Sequence, residues 1–183
     1  MNKNTDLSKY NNNNFKSGNI LLRFLWYFIN IIFFKSSLFP FNSLKLFLLR
    51  LFGCSLGKGV VIKPNVNIKY PWKLSLGNYV WIGEQVWVDN LDNVTIGNHV
   101  CISQGAILIC GSHNYKKPSF DLITKEIILN DGVWVGAKSI ILPGVVAEPH
   151  AIISAGSVMT KNLENYTIYR GNPAKKVGLR TIT

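Results

Sequence analysis

Three histidines, His99, His113 and His150, are the residues of this 183-residue chain best suited to move a proton. A free imidazole has a pKa of about 6.5, so it can take a proton from a hydroxyl group near neutral pH. Three histidines could also converge on zinc at a contact between subunits. The close paired spacing of that kind of site is absent here. The histidines therefore indicate acid–base chemistry and no metal.

A six-residue repeat must position these histidines. Aliphatic residues recur every six residues between Leu56 and Met159, with two slips of two residues and one insertion. That period fits neither an amphipathic helix nor plain strand alternation, and it is typical of the hexapeptide repeats of a parallel β-helix. We predict an all-β solenoid over residues 54–163, with the recurring aliphatic residue inside each coil. An ordinary β-sandwich is the alternative.

The three histidines hold different places in the repeat. His99 and His150 lie four places into their units, at turns, where a histidine faces solvent. His113 ends a unit in a GSH segment, directly before the period breaks. Residues 114–127 cannot be threaded into coils, so they should protrude as a loop. Such a loop beside a histidine indicates the wall of a site, and an insertion without function is the alternative.

The ends of the chain differ from the repeat. Residues 1–19 are polar and rich in asparagine, which predicts a disordered leader. Residues 20–53 hold two apolar helical runs separated by Pro40. These helices could cap the first coil, lie on a membrane surface through Trp26 and Tyr27, or span the bilayer as a hairpin, for which the first run is short. Residues 164–183 should leave the solenoid as a C-terminal tail.

The net charge and the cysteine content limit the classes of partner and the cellular compartment to be expected. The formal net charge of +11 predicts an anionic partner. The chain has no zinc-finger spacing, recognition-helix pattern or RNA-binding aromatic motif, so no nucleic-acid partner is expected. Cys54, Cys101 and Cys110 form no disulfide framework, which predicts a reducing compartment. We expect a cytoplasmic protein, with attachment to the inner face of the membrane left open.

Several segments together resemble one family. The runs LGNYVWIGEQVWV, GSHNY, DGVWVGAKSIILPGV, SAGSVMTK and GNPAK occur in that order. They resemble the left-handed β-helix acetyltransferases, and most closely the colanic acid biosynthesis acetyltransferases and the maltose and galactoside O-acetyltransferases. The likeness covers about residues 21–177. It implies a left-handed coil, a homotrimer with its sites between subunits, and acetyl-CoA as cosubstrate.

The resemblance also implies roles for individual residues. His113 would be the general base for direct attack by the acceptor, without an acyl-enzyme. The backbone N–H of Ala137 would stabilise the oxyanion. The coenzyme A groove would be lined by Trp134, Gly136, Ala137, Ala155, Gly156, Thr160 and Lys161, with Lys175 or Arg180 as further phosphate ligands.

The acceptor site departs from the family. Gly83 and Leu91 stand where the sugar acetyltransferases have an asparagine and an aspartate. Asp89, Asn90, Asp92 and Gln85 are the candidate replacements, and Asn90 ranks first because amides suit sugar hydroxyls. The resemblance implies O-acetylation of a sugar hydroxyl in surface polysaccharide biosynthesis. N-acetylation of an amino-sugar nucleotide, a γ-class carbonic anhydrase and a non-catalytic β-helix scaffold stay open as alternatives.

Overall fold

Three sheets wrap around a single core in a computed structural model that describes residues 4–13 and 15–183, and their strands are parallel except for the last strand of sheet B. Sheet A contains β1 (Ser55–Leu56), β4 (Leu74–Leu76), β7 (Val94–Ile96), β12 (Ile127–Leu129) and β15 (Val146–Ala147). Sheet B contains β2 (Val61–Ile62), β5 (Trp81–Ile82), β8 (Cys101–Ile102), β13 (Trp134–Val135), β16 (Ile152–Ile153), β18 (Thr167–Gly171) and β19 (Ala174–Leu179). Sheet C contains β3 (Asn67–Ile68), β6 (Trp87–Asp89), β9 (Ile107–Ile109), β14 (Ile140–Ile141) and β17 (Val158–Met159).

The chain visits sheets A, B and C in turn, so each coil has three corners, which we call AB, BC and CA after the sheets they join. Residues of the repeat stack in register from coil to coil. In sheet B the stack inside the coil is Ile62, Ile82, Ile102, Val135 and Ile153, none of them more than 2% exposed. Because the buried position repeats every coil, the predicted inward placement of the aliphatic residues is confirmed.

The outward faces of the three sheets differ in character. Sheet A presents Ser55, Ser75 and Thr95 in its first three strands. Sheets B and C instead present large apolar side chains, including three tryptophans that are 41–56% exposed: Trp81, Trp87 and Trp134. Exposed aromatic side chains at this density are typical of surfaces that contact another protein.

A β-hairpin leaves the solenoid at corner CA. Strands β10 (Gly111–His113) and β11 (Leu122–Thr124) pair antiparallel, with His113 opposite Leu122. The chain then rejoins sheet A, where Ile127 pairs with Val94 of the coil before the hairpin. The predicted protrusion is thus present, but it begins at Gly111 and is a paired hairpin rather than an irregular loop.

Two helices close the first coil. Helix α1 (Ile20–Ile29) continues into a π-helical turn (Asn30–Phe34), and α2 is Asn42–Leu51. Trp26 is 2% exposed, and its indole N–H donates to the carbonyl oxygen of Ile68 over 2.7 Å. The side chain of Asn42 donates to Val60 O and accepts from Ile62 N–H, at 2.9 and 2.8 Å. The helices are therefore packed on the first coil as a cap, an arrangement that is compatible with contact between their outer face and a membrane surface.

The outer surface of this helical cap stays apolar and exposed. Its exposed apolar side chains include Leu38, Ile20, Phe41, Tyr27 and Phe24, which are 59–82% exposed. Within residues 4–13 and 15–183, no helix has the length and apolar character that crossing a membrane requires.

Both ends of the chain depart from the sequence-based expectation. Strand β18 extends sheet B beside β16, with Ile168 opposite Ile152, and β19 folds back on it, so residues 167–179 continue the sheet instead of leaving it. In the leader, Asp6 N–H donates to Pro118 O over 2.8 Å, which ties this segment to the hairpin. The predicted disorder of residues 1–19 therefore does not hold for the part that makes these contacts. Residues 1–3 and 14 lie outside the described residues.

Candidate active site

His113 lies on the hairpin with its imidazole held by one neighbour. Its Nδ1 is 2.9 Å from the carbonyl oxygen of Phe120. A carbonyl oxygen can only accept a hydrogen bond, so the neutral imidazole carries its proton on Nδ1. This leaves the lone pair of Nε2 available to accept a proton. The arrangement is the one that a general base requires.

Phe120 fixes the orientation of this imidazole in two ways. Besides offering its carbonyl oxygen, it stacks its ring on that of His113, with ring centroids 4.4 Å apart and an interplanar angle of 7°. Phe120 has a φ of 51°, in the left-handed region that bulky residues rarely adopt. Such strain is held in place where the surrounding structure requires it, often at functional sites. The sequence gives no signal for this role, because nothing distinguishes Phe120 from an ordinary loop aromatic.

The other two histidines lie at corner AB. His99 stacks on Tyr79 with centroids 5.2 Å apart, and His150 stacks on Tyr166 at 4.7 Å. Neither shares a corner with His113, so the three imidazoles do not converge. Among the residues that the structure describes, no group of three or more His, Cys, Asp and Glu side chains could hold a metal ion.

The cysteine nearest to His113 in the chain is not an activated nucleophile. Cys110 is fully buried at the base of the hairpin, and burial raises the pKa of its thiol to about 12. At neutral pH it is therefore an uncharged thiol, which is a poor nucleophile.

The predicted acceptor residues do not form one cluster. Asn90 is fully buried, where its side chain accepts from Tyr70 N–H and donates to Tyr70 O at 2.9 and 2.6 Å. Its prediction as the first acceptor ligand is wrong, because this amide is used in binding the neighbouring coil. Gln85 is exposed but belongs to corner BC. Asp92 lies at corner CA, as Asn90 does, one coil below the hairpin, and it is partly exposed.

Most of the predicted coenzyme A residues gather along corner BC. These are Trp134, Gly136, Ala137, Ala155 and Gly156, and Lys175 lies above them at the β18–β19 turn. A Cβ on Gly136 would be 2.4 Å from Ala155 N, so this glycine is required by coil stacking itself. Gly156 has a φ of 70° and open space around its missing Cβ. The surface there can accept an extended ligand close to the backbone.

Ala137 offers an unused backbone donor on this corner. Its neighbours are engaged: Gly136 N–H donates to Ile153 O, and Lys138 N–H donates to Gln104 O. No described residue accepts a hydrogen bond from Ala137 N–H. This N–H therefore fits the predicted oxyanion donor.

The remaining predicted ligands lie at other corners. Thr160 and Lys161 are exposed at corner CA, the corner that carries the hairpin. Arg180 lies at corner AB, where its guanidinium donates to Gly132 O and His150 O at 2.8 and 3.3 Å. Its predicted contact with a phosphate is not supported by this placement, because the side chain is engaged in holding β19 to two turns.

His113 and Ala137 lie at opposite edges of sheet C. The three extended residue steps from Ser139 to Leu142 cross that sheet, so the corners of one chain are about 10 Å or more apart at about 3.3 Å per residue. Reacting groups must approach to about 3–3.5 Å. One chain therefore does not bring both groups to the same carbonyl, and a site that uses both needs a second chain.

Comparison with known proteins places the chain among acetyltransferases. No family model matches it. It is 37% identical over 169 residues to the "Putative colanic acid biosynthesis acetyltransferase WcaF" of Escherichia coli K12, which covers 92% of this chain and 93% of the relative. A hexapeptide-repeat-containing acetyltransferase from Vibrio cholerae matches with a TM-score of 0.80 at 22% identity, over 88% of this chain and 92% of its own. A second structure of that protein is complexed with acetyl coenzyme A.

A maltose O-acetyltransferase from Clostridium difficile 630 matches with a TM-score of 0.79 at 22% identity, over 90% of both chains. These structural matches confirm the predicted fold class, a left-handed parallel β-helix with an N-terminal helical segment. With 37% identity to WcaF along nearly its whole length, the chain belongs to the hexapeptide-repeat acetyltransferase family.

Proposed function

We propose that the protein transfers an acetyl group from acetyl-CoA to a hydroxyl group of a sugar. The observation that carries the proposal is the hydrogen bond from His113 Nδ1–H to Phe120 O, which leaves Nε2 free to accept a proton. Nε2 takes the proton of the acceptor hydroxyl while its oxygen bonds to the acetyl carbon. The carbon–sulfur bond then breaks, and His113 returns the proton to the departing thiolate. No acyl-enzyme is needed, and the buried, protonated thiol of Cys110 is consistent with direct attack.

The proposed site lies between two copies of the chain in a homotrimer. His113 from corner CA of one copy would face the Ala137 N–H at corner BC of another, because the width of sheet C, about 10 Å or more, separates the two corners of one chain. The exposed tryptophans of sheets B and C support such contacts, since two apolar faces suit two neighbours. The polar outer face of the first three strands of sheet A would remain in solvent.

The proposal that the acceptor is a saccharide is based on the names of similar proteins. WcaF is named for colanic acid biosynthesis, and the Clostridium difficile match is a maltose O-acetyltransferase. We extend this to the chain as acetylation of a saccharide in surface polysaccharide biosynthesis. Exposed Lys161, Thr160 and Lys175 would contact the phosphates of acetyl-CoA, and Gly156 and Ala155 its pantetheine arm.

The proposal also includes a cytoplasmic location at the inner face of the membrane. The exposed apolar surface of the helical cap carries basic residues beside it, including Arg23, Lys35 and Arg50. Apolar and cationic side chains together favour binding to anionic lipid surfaces. We expect the protein to float with anionic liposomes at low salt and not with neutral ones. If it stays unbound in both cases, the membrane contact is removed from the proposal.

A screen of sugar acceptors with release of free thiol from acetyl-CoA tests the transfer reaction. Products should be labile to hydroxylamine, as esters are, whereas stability would indicate N-acetylation. His113→Ala should lower kcat by about 10²–10⁴-fold. His99→Ala and His150→Ala remove the same side chain from corner AB and should leave the rate unchanged. A His113→Ala rate within about threefold of wild type, far less than a general base contributes, would exclude this histidine as the base.

A further inference from the structure

A polar cavity of about 510 Å³ adjoins the hairpin that carries His113. We call it the leader pocket. One wall is the N-terminal segment and the opposite wall is the hairpin, and its polar lining includes Asn11, Asn12, Lys16, Lys73, Asn114 and Lys117. Asn114 follows His113 in the chain, and Leu122, which also lines the pocket, is the cross-strand partner of His113. The pocket therefore adjoins the hairpin next to His113, although the side chain of His113 is not part of the lining.

The leader is held in place over this region by specific contacts. Asp6 N–H donates to Pro118 O over 2.8 Å, and Asn11 N–H donates to a carboxylate oxygen of Asp121 at 3.4 Å. The ring of Tyr10 lies 6.1 Å from the imidazole of His113, centroid to centroid. A ligand that reaches His113 from this side would meet the leader as well as the hairpin.

The charges that line the leader pocket are mostly positive. Lys16, Lys73 and Lys117 contribute ammonium groups, and Asp121 is the acidic residue of the lining. Asp121 is already bound by Lys117 at 3.5 Å and by Asn11. Lys73 is held from below by its hydrogen bond to Leu91 O, with the Phe15 ring 5.0 Å from its Nζ. The other charged group near Lys73 is Asp92, one coil below the hairpin.

This combination of groups defines a class of ligand. Amide side chains donate to and accept from sugar hydroxyls, and aromatic rings pack on sugar faces. Ammonium groups bind a phosphate or carboxylate. We propose that the leader pocket binds the acceptor, and that the acceptor is an acidic saccharide with a phosphate or carboxylate group. The transfer step rests on the proposed function, whereas the binding step does not.

Binding of the acceptor measured without acetyl-CoA tests the pocket separately from the acetyl transfer reaction. Glucose 1-phosphate, glucuronate and glucose would be titrated into the full-length protein and followed by isothermal titration calorimetry. We expect at least one of the two anions to bind about tenfold or more tightly than glucose, as a charge-assisted hydrogen bond contributes. The stronger of the two anions identifies the acidic group as phosphate or carboxylate. Equal or weaker binding of both anions would overturn the inference.

Two adjacent lysines provide a matched pair of variants. Lys117→Gln should weaken binding of the preferred anion about tenfold, since it removes a charged ligand at the pocket. Lys116→Gln removes the same charge next to it, outside the lining, and should change nothing. Both side chains are exposed, so folding is not at risk. Equal effects would mean that only the overall charge attracts the anion, which also contradicts a specific pocket.

The acetylation screen has a separate outcome. If neutral sugars are acetylated as well as acidic ones, the pocket assignment fails and the acetyltransferase stands. If anions bind with the expected dependence on Lys117 but no sugar is acetylated, the proposed function fails and the pocket stands.

Discussion

Replacing Ala137 by proline would remove one N–H group and little else. Ala137 is the corner BC residue of its coil, and its N–H has no partner among the described residues. The equivalent position of the first coil is already a proline, Pro64, as the register of sheet B shows through Val61, Trp81 and Trp134. The backbone angles of this turn therefore suit proline. Pro64 lies in the first coil, with no coil below it, whereas Ala137 packs on the coil that contains Ser103. The midpoint of urea unfolding of Ala137→Pro must therefore be measured beside its kcat, to separate a loss of stability from the loss of the donor.

The expected loss in rate follows from the role of the missing donor. Removing one oxyanion-hole donor costs about 10²–10³-fold in kcat, or about 2.7–4 kcal/mol. The KM for acetyl-CoA should change little, because the N–H is needed where charge develops in the transition state. Gln104→Pro makes the same change at the same corner one coil earlier, where it should leave kcat unchanged. A kcat for Ala137→Pro equal to that of Gln104→Pro would refute the oxyanion role.

The same variant tests whether each site is shared by two chains. Co-expression of Ala137→Pro with His113→Ala yields mixed trimers in which each variant supplies the group that the other lacks. If corner CA of one copy meets corner BC of the next, random mixing restores about one quarter of the wild-type sites. If one chain supplied both groups, no site would be restored, and mixed activity equal to that of the separate variants would refute the arrangement between copies.

Three further predictions concern the cosubstrate and stability. Lys161→Ala should raise the KM for acetyl-CoA more than it lowers kcat, and the reverse pattern in steady-state kinetics would remove it from the phosphates. Trp26→Ala should lower the free energy of unfolding by about 3–5 kcal/mol and Trp26→Phe by about 1 kcal/mol, because only the former empties the cap; equal losses in urea unfolding would contradict this. Lys45 is 1% exposed, and burial lowers the pKa of its ammonium below the ordinary 10.5. The unfolded chain then binds more protons between the lowered pKa and 10.5, so stability should rise with pH across that window. Lys45→Met should lose that rise, as urea unfolding at several pH values would reveal.

The core of the solenoid could be predicted from the sequence because its period is strict. Each coil buries an aliphatic residue at the same position, as Ile82 and Ile102 show. A six-residue period in the sequence therefore predicts a stack of buried side chains in the structure. His113 was chosen as the candidate base from the break in that pattern together with the family resemblance. Its orientation was not, since it depends on the carbonyl oxygen of Phe120, and every residue has such an oxygen.

The predictions for Asn90 and for the leader were wrong because each depends on contacts between distant parts of the chain. Asn90 was chosen because an amide suits a sugar, but an amide suits a backbone equally, and Tyr70 of the coil below takes both of its hydrogen bonds. The leader is polar enough to be disordered on its own. It acquires a defined course from Pro118 and Asp121, which lie on a hairpin whose pairing the sequence does not reveal.

The amide side chains of the helical cap prevent end-to-end association of the solenoid at its first coil. A bare first coil would offer the free strand edges on which further copies could polymerise end to end. Asn42 fills the donor and acceptor places at Val60 and Ile62 that a preceding coil would take, and the Asn30 side chain accepts from Ile68 N–H at 3.3 Å. Two asparagines thus imitate a missing neighbour and terminate a stack that could otherwise grow into a fibre.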